Sequence, residues 1–528
     1  MDDFSKERRV PFLQGAAQLL SDENKRLRAE RADLEARLAA SEAARAEAHA
    51  EAVRVAGDLA RLETELAGLA ELLDLRTKLL YGKSTERRPR DKAPKGQKRR
   101  GGKPRKGHGP TAQPDLPEVD VTHNIPDELL TCEACGGRMK AIDTLAEEAQ
   151  LIALERRRVV LENHIRTVYG CTCGKCIKTA TGPLKLLVGG RYDLSFTVHV
   201  GYQKYFAHMP LERQAKMFGH EGLVVTTATL CDQLDALATA LANTYDIIWK
   251  VIQAEKVLRA DETPWAIMSN GFNENEQFYA WVAVGSKYVA FRLLDTRSAD
   301  GAAAILGSFS GTLVVDGLTS YPAAAKAGPG KPPKFKVANC HAHARRGLVE
   351  MEKHWPAESQ FAVELYRQIY EVERDGRKVG ADLGALRCER GRPLVDKLFD
   401  WARAQKARPE VLPSSLLAKA VNYLLNHEVG LRVYLDDPAV PIDNNESERA
   451  VRPTVMGRAN YGGSRSRRGT EVHAIISTLV ESAKRCGVSP EAYLMAAAEH
   501  ALTKAGAVLL PDEFKRQLDA VRGPPKTT

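Results

Sequence analysis

The sequence lacks any long hydrophobic run. No uninterrupted apolar stretch approaches the roughly 18 residues that a membrane-spanning helix needs. The first ten residues, MDDFSKERRV, also lack the apolar segment of a secretory signal. These absences argue against a membrane-embedded or exported protein, and we expect a soluble bacterial-type protein in the reducing cytoplasm.

Outside one segment, the chain carries almost no net charge. Residues 83–107 contain twelve Lys or Arg residues against two acidic ones, a net charge of +10 in a chain whose total is +9. The segment is rich in Pro and Gly and lacks periodic apolar residues, so it cannot bury a core. We interpret residues 83–110 as a basic disordered linker. Its cations, Lys98, Arg99 and Arg100 among them, are expected to bind phosphates through counterion release.

Isolated cysteines are few, because five of the nine lie in two tight clusters. Thiolates two residues apart can hold one ion from a single turn, so the spacing predicts a structural zinc site within residues 111–185. Five thiols exceed the four ligands of tetrahedral zinc. Cys132, Cys135, Cys173 and Cys176 are the favoured set, with Cys171 as the spare.

Two further expectations concern the surroundings of the clusters. Residues 156–170 are predicted to be a β-strand, because branched side chains alternate along them. The remaining cysteines are expected to be buried thiols. They are Cys231, Cys340, Cys388 and Cys486.

The N-terminal segment, residues 1–82, has the pattern of a coiled coil. Leucines recur at heptad spacing with Glu and Arg around them, most regularly from Leu59 to Leu80. A single long solvated helix is the alternative. We expect this helix to pair with another and to give a homo-oligomer.

Residues 186–250 are predicted to form three helices. Pro210 suits the start of the second helix, Gly222 follows its end, and Thr226 or Thr227 caps the third. Two helices joined by a Gly-bearing turn are typical of a helix-turn-helix DNA reader, although short helical bundles share the pattern.

From about residue 255 the pattern changes to strands. Three strands, a helix, a strand, a helix and a strand follow one another, which is the order of the ribonuclease-H-like α/β fold. Helical periodicity between about 350 and 440 predicts a helical insertion in this domain, residues 251–480, and residues 481–528 form a helical tail. With 528 residues, the chain is expected to be a multidomain α+β protein.

Two carboxylates occupy the first and fourth of these strands. Asp261 lies in the first strand and Asp316 at the end of the fourth, and the fold would place those strands side by side. Hard oxygen ligands suit Mg²⁺, and a shared carboxylate cluster suits two-metal phosphodiester chemistry. Separately, each acid also has a local explanation, since Asp favours strand ends and Asp-Gly turns.

A third carboxylate comes from the stretch IDNNESERAVRP, residues 442–453. The segment predicts a helix that ends near Pro453 and contains Glu446 and Glu448. Side chains two apart on a helix point to nearly opposite sides, so only one of the two glutamates can face a shared metal site. Both also have capping-box spacing, Asp443 with Glu446 and Asn445 with Glu448, and the residues alone leave the choice open.

Four motifs, ADET, VVDG, CHAHARR and PIDNNESERAVRP, together resemble the insertion-sequence-66 family of DDE transposases of the TnpC type. The segments LRTKLLYGKSTER, GGRYDLSFTVHVGYQKYFAHMPLERQ and GVSPEAYL extend the similarity over most of the chain. The resemblance implies a catalytic triad of Asp261, Asp316 and Glu448 that holds Mg²⁺. It leaves Glu446 at a variable position that we expect to face solvent.

The same resemblance implies further site residues and departs from the family at two points. His343 lies near the active site, and Arg345 and Arg346 bind DNA phosphates. Independently of the resemblance, the arginines that closely follow Glu448 are expected to form a second phosphate-contact zone; they are Arg452, Arg458, Arg465, Arg467 and Arg468. The second cysteine cluster reads CTCGKC instead of CxxC, and His341 stands where the family carries an aromatic residue. We expect His341 to support the site and not to form a second metal centre.

The implied activity is DNA transposition in the bacterial nucleoid. The zinc and helix-turn-helix modules would bind terminal inverted repeats, the catalytic domain would cut 3′ ends and join them to target DNA, and small accessory proteins could take part. Two rival functions use the same features. One is a ribonuclease-H-fold nuclease or resolvase that cuts without joining, and the other is a DNA-binding regulator with an inactive catalytic domain.

Overall fold

The computed structural model describes residues 4–81, 158–170, 177–179, 182–187, 189–268, 276–327, 331–378, 380–504 and 506–522. Of these, residues 4–81 and 163–522 belong to one compact unit. The predicted zinc ligands Cys132, Cys135, Cys173 and Cys176, the spare Cys171, and the linker residues Lys98, Arg99 and Arg100 lie outside the described residues.

The N-terminal segment is one helix, α1, Phe4–Tyr81. Its Ala, Leu, Glu and Arg residues are strong helix formers, which explains its length. Leu62, Leu66 and Leu69 on its heptad seam are exposed, whereas Gly68 and Glu71 are buried against residues 412–416. The predicted helix is confirmed, and its pairing with another helix stays a prediction.

A small hairpin follows, in which β1, Val168–Gly170, pairs antiparallel with β2, Ile177–Thr179. The strand predicted over residues 156–170 is therefore wrong for residues 158–167, which are in no ladder. Leu161 and Ile165 are strongly exposed there. Alternation alone does not make a strand, because a strand also needs a partner and a surface to cover.

Three helices come next: α2, Leu194–Tyr205; α3, Leu211–His220; and α4, Thr227–Gln253. The Asp193 carboxylate caps α2 by accepting from the Ser195 N–H at 2.8 Å, and the Thr226 hydroxyl caps α4 by accepting from the Thr229 N–H at 3.2 Å. All three helices were predicted. Helix α4 runs past residue 250, the predicted end of this region. Its apolar stripe packs against the sheet strand β5 (Val289–Leu294) and helix α14 (Arg467–Arg485).

The central sheet has five strands in the order β5-β4-β3-β6-β7. Strand β4, Glu276–Val284, runs antiparallel to both of its neighbours, which are β3, Val257–Ile267, and β5. Strands β6, Thr312–Val315, and β7, Lys336–Asn339, run parallel to β3. Helices α5, Ala299–Leu306, and α6, Ser320–Ala325, connect them in the predicted order of elements.

A helical layer fills the predicted insertion. Its helices are α7, His341–Glu350; α8, Pro356–Asp375; α9, Leu383–Leu386; α10, Arg392–Lys406; α11, Leu416–Asn426; and α12, Glu428–Arg432. A π-helical turn lies at Arg387–Gly391 and a 3₁₀ turn at Val433–Leu435. The periodicity predicts one apolar stripe with Phe361, Leu365 and Ile369 and another with Leu417, Val421 and Leu424. All are buried in the core of this layer except Phe361, which is 40% exposed.

The chain ends in four helices: α13, Asn445–Tyr461; α14; α15, Pro490–Thr503; and α16, Pro511–Arg522. The prediction that α13 ends near Pro453 is wrong. Val451, Thr454 and Gly457 are buried on one face, and this packing carries the helix past the N–H that proline lacks. Gly462, with φ +80°, closes the helix in the left-handed region.

The isolated cysteines differ in burial. Cys340 is buried as predicted, and Cys486 is half-buried. Cys231 and Cys388 are exposed, so their predicted burial is wrong. Cys231 lies beside the buried Leu230 and Leu234 on α4, and Cys388 lies on a turn whose buried residues are Arg387 and Gly391, so both thiols point away from the buried side. No described helix is both long enough and apolar enough to cross a membrane.

Candidate active site

Two of the predicted acids lie on adjacent parallel strands. Arg259 of β3 pairs with Val314 of β6. Asp261 and Asp316 each follow two residues later, so the two carboxylates lie beside each other at the end of this ladder. The Asp316 Oδ1 accepts a 2.8 Å hydrogen bond from the Leu318 N–H, which holds the carboxylate at the mouth of the loop after β6.

The third acid comes from the first turn of α13, a helix that packs against β3 and β4. The Glu448 side chain is 26% exposed, and its Oε1 is buried without a hydrogen-bond partner among the described residues. Two basic side chains approach this oxygen, with the His343 Nε2 at 3.5 Å and the Arg346 Nη2 at 3.7 Å. Glu448 therefore faces inward and is not turned to bulk solvent.

The three carboxylates act on one another electrostatically. Burial, followed by the charge of Glu262 and then by the charges of Asp316 and Glu448, raises the pKa of Asp261 from 3.8 to about 7. A hydrogen bond from the Glu262 N–H to Asp261 opposes this shift. Like charges gathered in a partly desolvated space disfavour ionisation unless a cation neutralises them.

Backbone anchors hold the segments that carry the acids. The Asn444 amide donates to the Ala260 carbonyl at 2.8 Å, and the Asn444 N–H donates to the Cys340 Sγ at 3.1 Å. The Asn339 amide donates to the Asp316 carbonyl at 2.8 Å. Strand β3, the end of β7 and the start of α13 are thereby tied together directly beside the acids.

Cys340 and His341 have structural roles in this region. Burial raises the pKa of the Cys340 thiol to about 11, so it stays protonated at neutral pH. The His341 Nε2 bonds to the Leu431 carbonyl at 2.7 Å, and its Nδ1 to the Tyr366 hydroxyl at 3.3 Å. Both ring nitrogens are therefore engaged, as expected for a histidine that supports the site.

Glu446 and Glu448 point to opposite sides of α13, as helical geometry requires. The expectation that Glu446 faces solvent is wrong. Glu446 accepts from Arg259 at 2.8 Å and from Arg485 at 3.0 Å, and it joins β3 to α14 on the side away from the acids. The cap of this helix also differs from both capping-box alternatives, because Asn444 is the N-cap and its side chain makes no capping bond.

A fourth carboxylate, Glu262, was not predicted as a site residue. It is buried on the other face of β3, where it accepts from the Arg297 Nη2 at 2.6 Å and from the Tyr321 hydroxyl at 2.9 Å. Burial raises its pKa, and the Arg297 hydrogen bond opposes the rise. The strand alternation around ADET could have indicated an inward-facing acid, but not its partners.

Tyr423 and His427 at the end of α11 were also missed. A Cβ placed on Gly317 would lie 2.8 Å from the Tyr423 Cε2 and 3.1 Å from the His427 Nε2, so both rings lie directly on the residue after Asp316. No signal in the sequence points to this contact, because the two segments meet only through helix packing.

The predicted DNA-binding arginines lie in two places. Arg345 and Arg346 are on α7 beside Glu448, and the Arg346 side chain is exposed. Arg452 is exposed on α13. Arg458 has a contact within the protein, since it donates to the Pro264 carbonyl and the Thr263 hydroxyl. Arg346 therefore offers charge beside Glu448, and Arg452 lies one turn further along the same helix, whereas Arg458 holds α13 to the end of β3.

Mg²⁺ would fit the donors gathered here. In the part of the chain that the structure describes, no three Asp, Glu, His or Cys side chains are close enough together to form a complete metal site as they stand. The Glu448 Oε1, which is buried without a hydrogen bond from the described residues, and the raised pKa of Asp261 both indicate carboxylates that a cation would stabilise. Carboxylate oxygens are the ligands that hard divalent cations prefer.

Comparisons with known proteins give a consistent picture. The family model described as "Transposase IS66 family" matches residues 189–472, a range that contains all three acids. The uncharacterized protein y4jD of Sinorhizobium fredii is 30% identical over 392 residues, which cover 72% of this chain and 76% of the relative. The uncharacterized protein y4hP of the same organism is 26% identical over 435 residues, covering 77% of each chain.

Proposed function

Because the chain belongs to the IS66 family of transposases, we propose that it binds the terminal inverted repeats of an insertion sequence, cuts their 3′ ends and joins them to target DNA. The observation that carries the proposal is that the charges of Asp316 and Glu448, which come from two other segments, both act on the carboxylate of Asp261. A regulator without chemistry would not need three mutually repelling carboxylates in a partly buried position.

The sheet supports a ribonuclease-H-like catalytic domain over residues 251–480. Three antiparallel strands followed by two strands parallel to the first give the order β5-β4-β3-β6-β7. In this arrangement the first and fourth strands are neighbours, and their acids come from the positions that the fold uses for catalysis. The helical layer enters between β7 and α13, which carries Glu448.

Asp261, Asp316 and Glu448 would hold Mg²⁺. A bound pair of such ions supplies an activated water and stabilises the attacking and leaving oxygens of an in-line displacement. In the first reaction, water attacks the phosphodiester and the P–O3′ bond breaks, which leaves a 3′ hydroxyl and a 5′ phosphate. In the second, that hydroxyl attacks a target phosphodiester and displaces a new 3′ hydroxyl.

The cationic side chains beside the acids would position the DNA backbone. Arg346 and His343 lie within 3.7 Å of Glu448, and Arg452 is exposed one turn further along α13. Contacts from arginine to phosphate fix the register of a duplex without reading its sequence. Arg345, Arg458 and the linker residues Lys98, Arg99 and Arg100 would extend this contact zone.

Other segments would supply recognition and assembly. A zinc site of Cys132, Cys135, Cys173 and Cys176 and the helices of residues 186–250 would bind the inverted repeats. Pairing through the exposed leucines of α1 would bring two chains, and thus two element ends, together. Small accessory proteins encoded beside such elements would join this assembly in the nucleoid.

The test is a reaction of the full chain with labelled donor-end oligonucleotides, target DNA and Mg²⁺. We expect joined products from the wild type and none from Asp261→Asn, with DNA binding retained in both. Asp300→Asn, at an exposed position in the first turn of α5, is the matched control and should react normally.

The products separate the alternative functions. Cleavage without joining would identify a nuclease or resolvase, and DNA binding without either product would identify a regulator. Strand joining by Asp261→Asn at the wild-type rate would show that the active site has been assigned to the wrong residues.

A further inference from the structure

The hydroxyl of Tyr423 is a buried polar group without a hydrogen-bond partner among the described residues. Its ring packs on His427, with the centroids 4.5 Å apart, and on the backbone of Gly317. Buried tyrosine hydroxyls nearly always have a partner, because an unpaired one loses its bonds to water without replacement. A partner for this group is therefore to be sought among its neighbours.

The neighbouring acceptor is the carboxylate of Asp316. Burial and then the charge of Asp316 raise the pKa of Tyr423 well above its usual 10, so the hydroxyl keeps its proton and can only donate to an anion. The hydroxyl lies 3.1 Å from the place where a Cβ of Gly317 would stand, one residue from Asp316. Glycine at 317 is what lets the tyrosine approach this loop.

The Asp316 carboxylate already has one hydrogen bond that sets its orientation, the bond from the Leu318 N–H at 2.8 Å. Carboxylates that hold a metal are generally oriented by further donors around them, and the loss of one such donor typically weakens metal affinity about 10–100-fold. Tyr423 comes from the helical layer and so reaches the loop from a different element than Leu318.

We propose that Tyr423 is a positioning residue for Asp316, whose carboxylate accepts a hydrogen bond from the Tyr423 hydroxyl when it holds a divalent cation. The inference rests on the proposed metal-dependent function and adds a residue to it. His427 has a supporting part, because its ring lies against both Tyr423 and Gly317 and keeps the tyrosine ring in place.

The test measures Mn²⁺ binding to the full chain directly, by the electron paramagnetic resonance signal of the free ion. Asp316→Asn defines the cation that belongs to this site. Tyr423→Phe removes only the hydroxyl and keeps the packing on Gly317. Tyr434→Phe is the matched control, because the Tyr434 hydroxyl is also buried without a described partner but its ring packs on His341 and Arg387 instead.

We expect Tyr423→Phe to bind the Asp316-dependent Mn²⁺ about 10–100-fold more weakly, with an unchanged melting temperature in the absence of metal. Tyr434→Phe should bind as the wild type does. Excess Mn²⁺ should restore DNA cleavage by Tyr423→Phe, since a weakened site can still be filled.

Wild-type affinity in Tyr423→Phe, with the ion lost in Asp316→Asn, would overturn this inference and leave the proposed function intact. Equal weakening by Tyr434→Phe would also overturn it, because any loosening of the layer would then suffice. If Asp316→Asn changes no Mn²⁺ binding at all, the metal site and the role of Tyr423 fall together.

Discussion

Glu446 and Glu448 lie in different electrostatic surroundings. Glu446 lies between two guanidinium groups and holds β3 to α14. Glu448 adds its charge to the repulsion on Asp261, and its Oε1 accepts no hydrogen bond from the described residues, with the Arg346 Nη2 3.7 Å away. A carboxylate between cations stabilises the fold, whereas a carboxylate among other carboxylates is costly until a cation binds.

This contrast predicts opposite effects of the same substitution at the two positions. Glu446→Gln should lower the free energy of unfolding by about 1 kcal/mol, since its ion pairs are partly screened by solvent, and leave strand cleavage nearly unchanged. Glu448→Gln should leave stability equal or higher and reduce cleavage by more than the roughly 100-fold of an outer-shell change. Urea unfolding and a cleavage assay on both variants check this.

The reverse pattern, with activity lost in Glu446→Gln and kept in Glu448→Gln, would exchange the two assignments. Loss of both stability and activity in either variant would show that the residue serves both roles.

The parts of the site that could be predicted are those determined by residues close together in the sequence. Asp261 and Asp316 could be placed because each sits on a strand with a clear local pattern, and the order of elements places those strands side by side. Helical geometry separated Glu446 from Glu448 but did not say which faces the acids. Tyr423 lies 106 residues after Gly317 and reaches it only through helix packing, which no local pattern encodes.

At the scale of elements, α1 is fastened to the helical layer by one buried carboxylate. Glu71 is 3% exposed. It accepts from the Leu416 N–H at 2.6 Å, at the first turn of α11, and from the Trp355 indole N–H. A carboxylate at a helix N-terminus accepts hydrogen bonds from the free N–H groups there, and its negative charge interacts favourably with the helix dipole. The heptad pattern predicted α1 but not this contact, because Glu71 reads as one more charged residue of a solvated face.

Glu71→Ala should detach this part of α1 from α11. It leaves two buried donors without an acceptor, which costs about 1–3 kcal/mol each where they stay buried. We expect a lower free energy of unfolding and faster hydrogen exchange at the start of α11. Glu63→Ala, at an exposed position on the same helix, is the control.

If Glu71→Ala and Glu63→Ala have the same hydrogen-exchange rates at the start of α11 and the same free energy of unfolding, the Glu71 contact does not stabilise the fold.

At the scale of the whole molecule, stability depends on a histidine that must stay uncharged. His473 of α14 is buried, with its ring centroid 4.4 Å from that of Trp265 and 5.5 Å from that of Tyr205. Neither ring nitrogen has a hydrogen-bond partner in the described part of the chain. Burial, and then the charges of Lys204 and His208, lower its pKa from 6.5 to about 3.

The lowered pKa of His473 makes the stability of the folded protein sensitive to acid. Between pH 6.5 and 3 the unfolded chain binds a proton at His473 that the folded chain does not. Stability therefore falls as pH falls through this window, by up to about 1.4 kcal/mol per pH unit. His473→Phe should flatten the decline of the melting temperature between pH 6.5 and 4, whereas the exposed His220→Gln should not.

An unchanged slope in His473→Phe would mean that other groups govern acid unfolding of this protein.

The chain enters the helical layer after β7 and leaves it before α13, and these two ends of the layer lie side by side. The His341 N–H donates to the Ile442 carbonyl at 3.1 Å, and the Asn444 N–H donates to the Cys340 Sγ at 3.1 Å. The loops between the outer helices of residues 351–436 can therefore be lengthened without altering the separation of Asp316 and Glu448, provided that Tyr423 and His427 stay packed on Gly317. Related elements could acquire new surfaces for DNA or protein at this position and keep the same chemistry underneath.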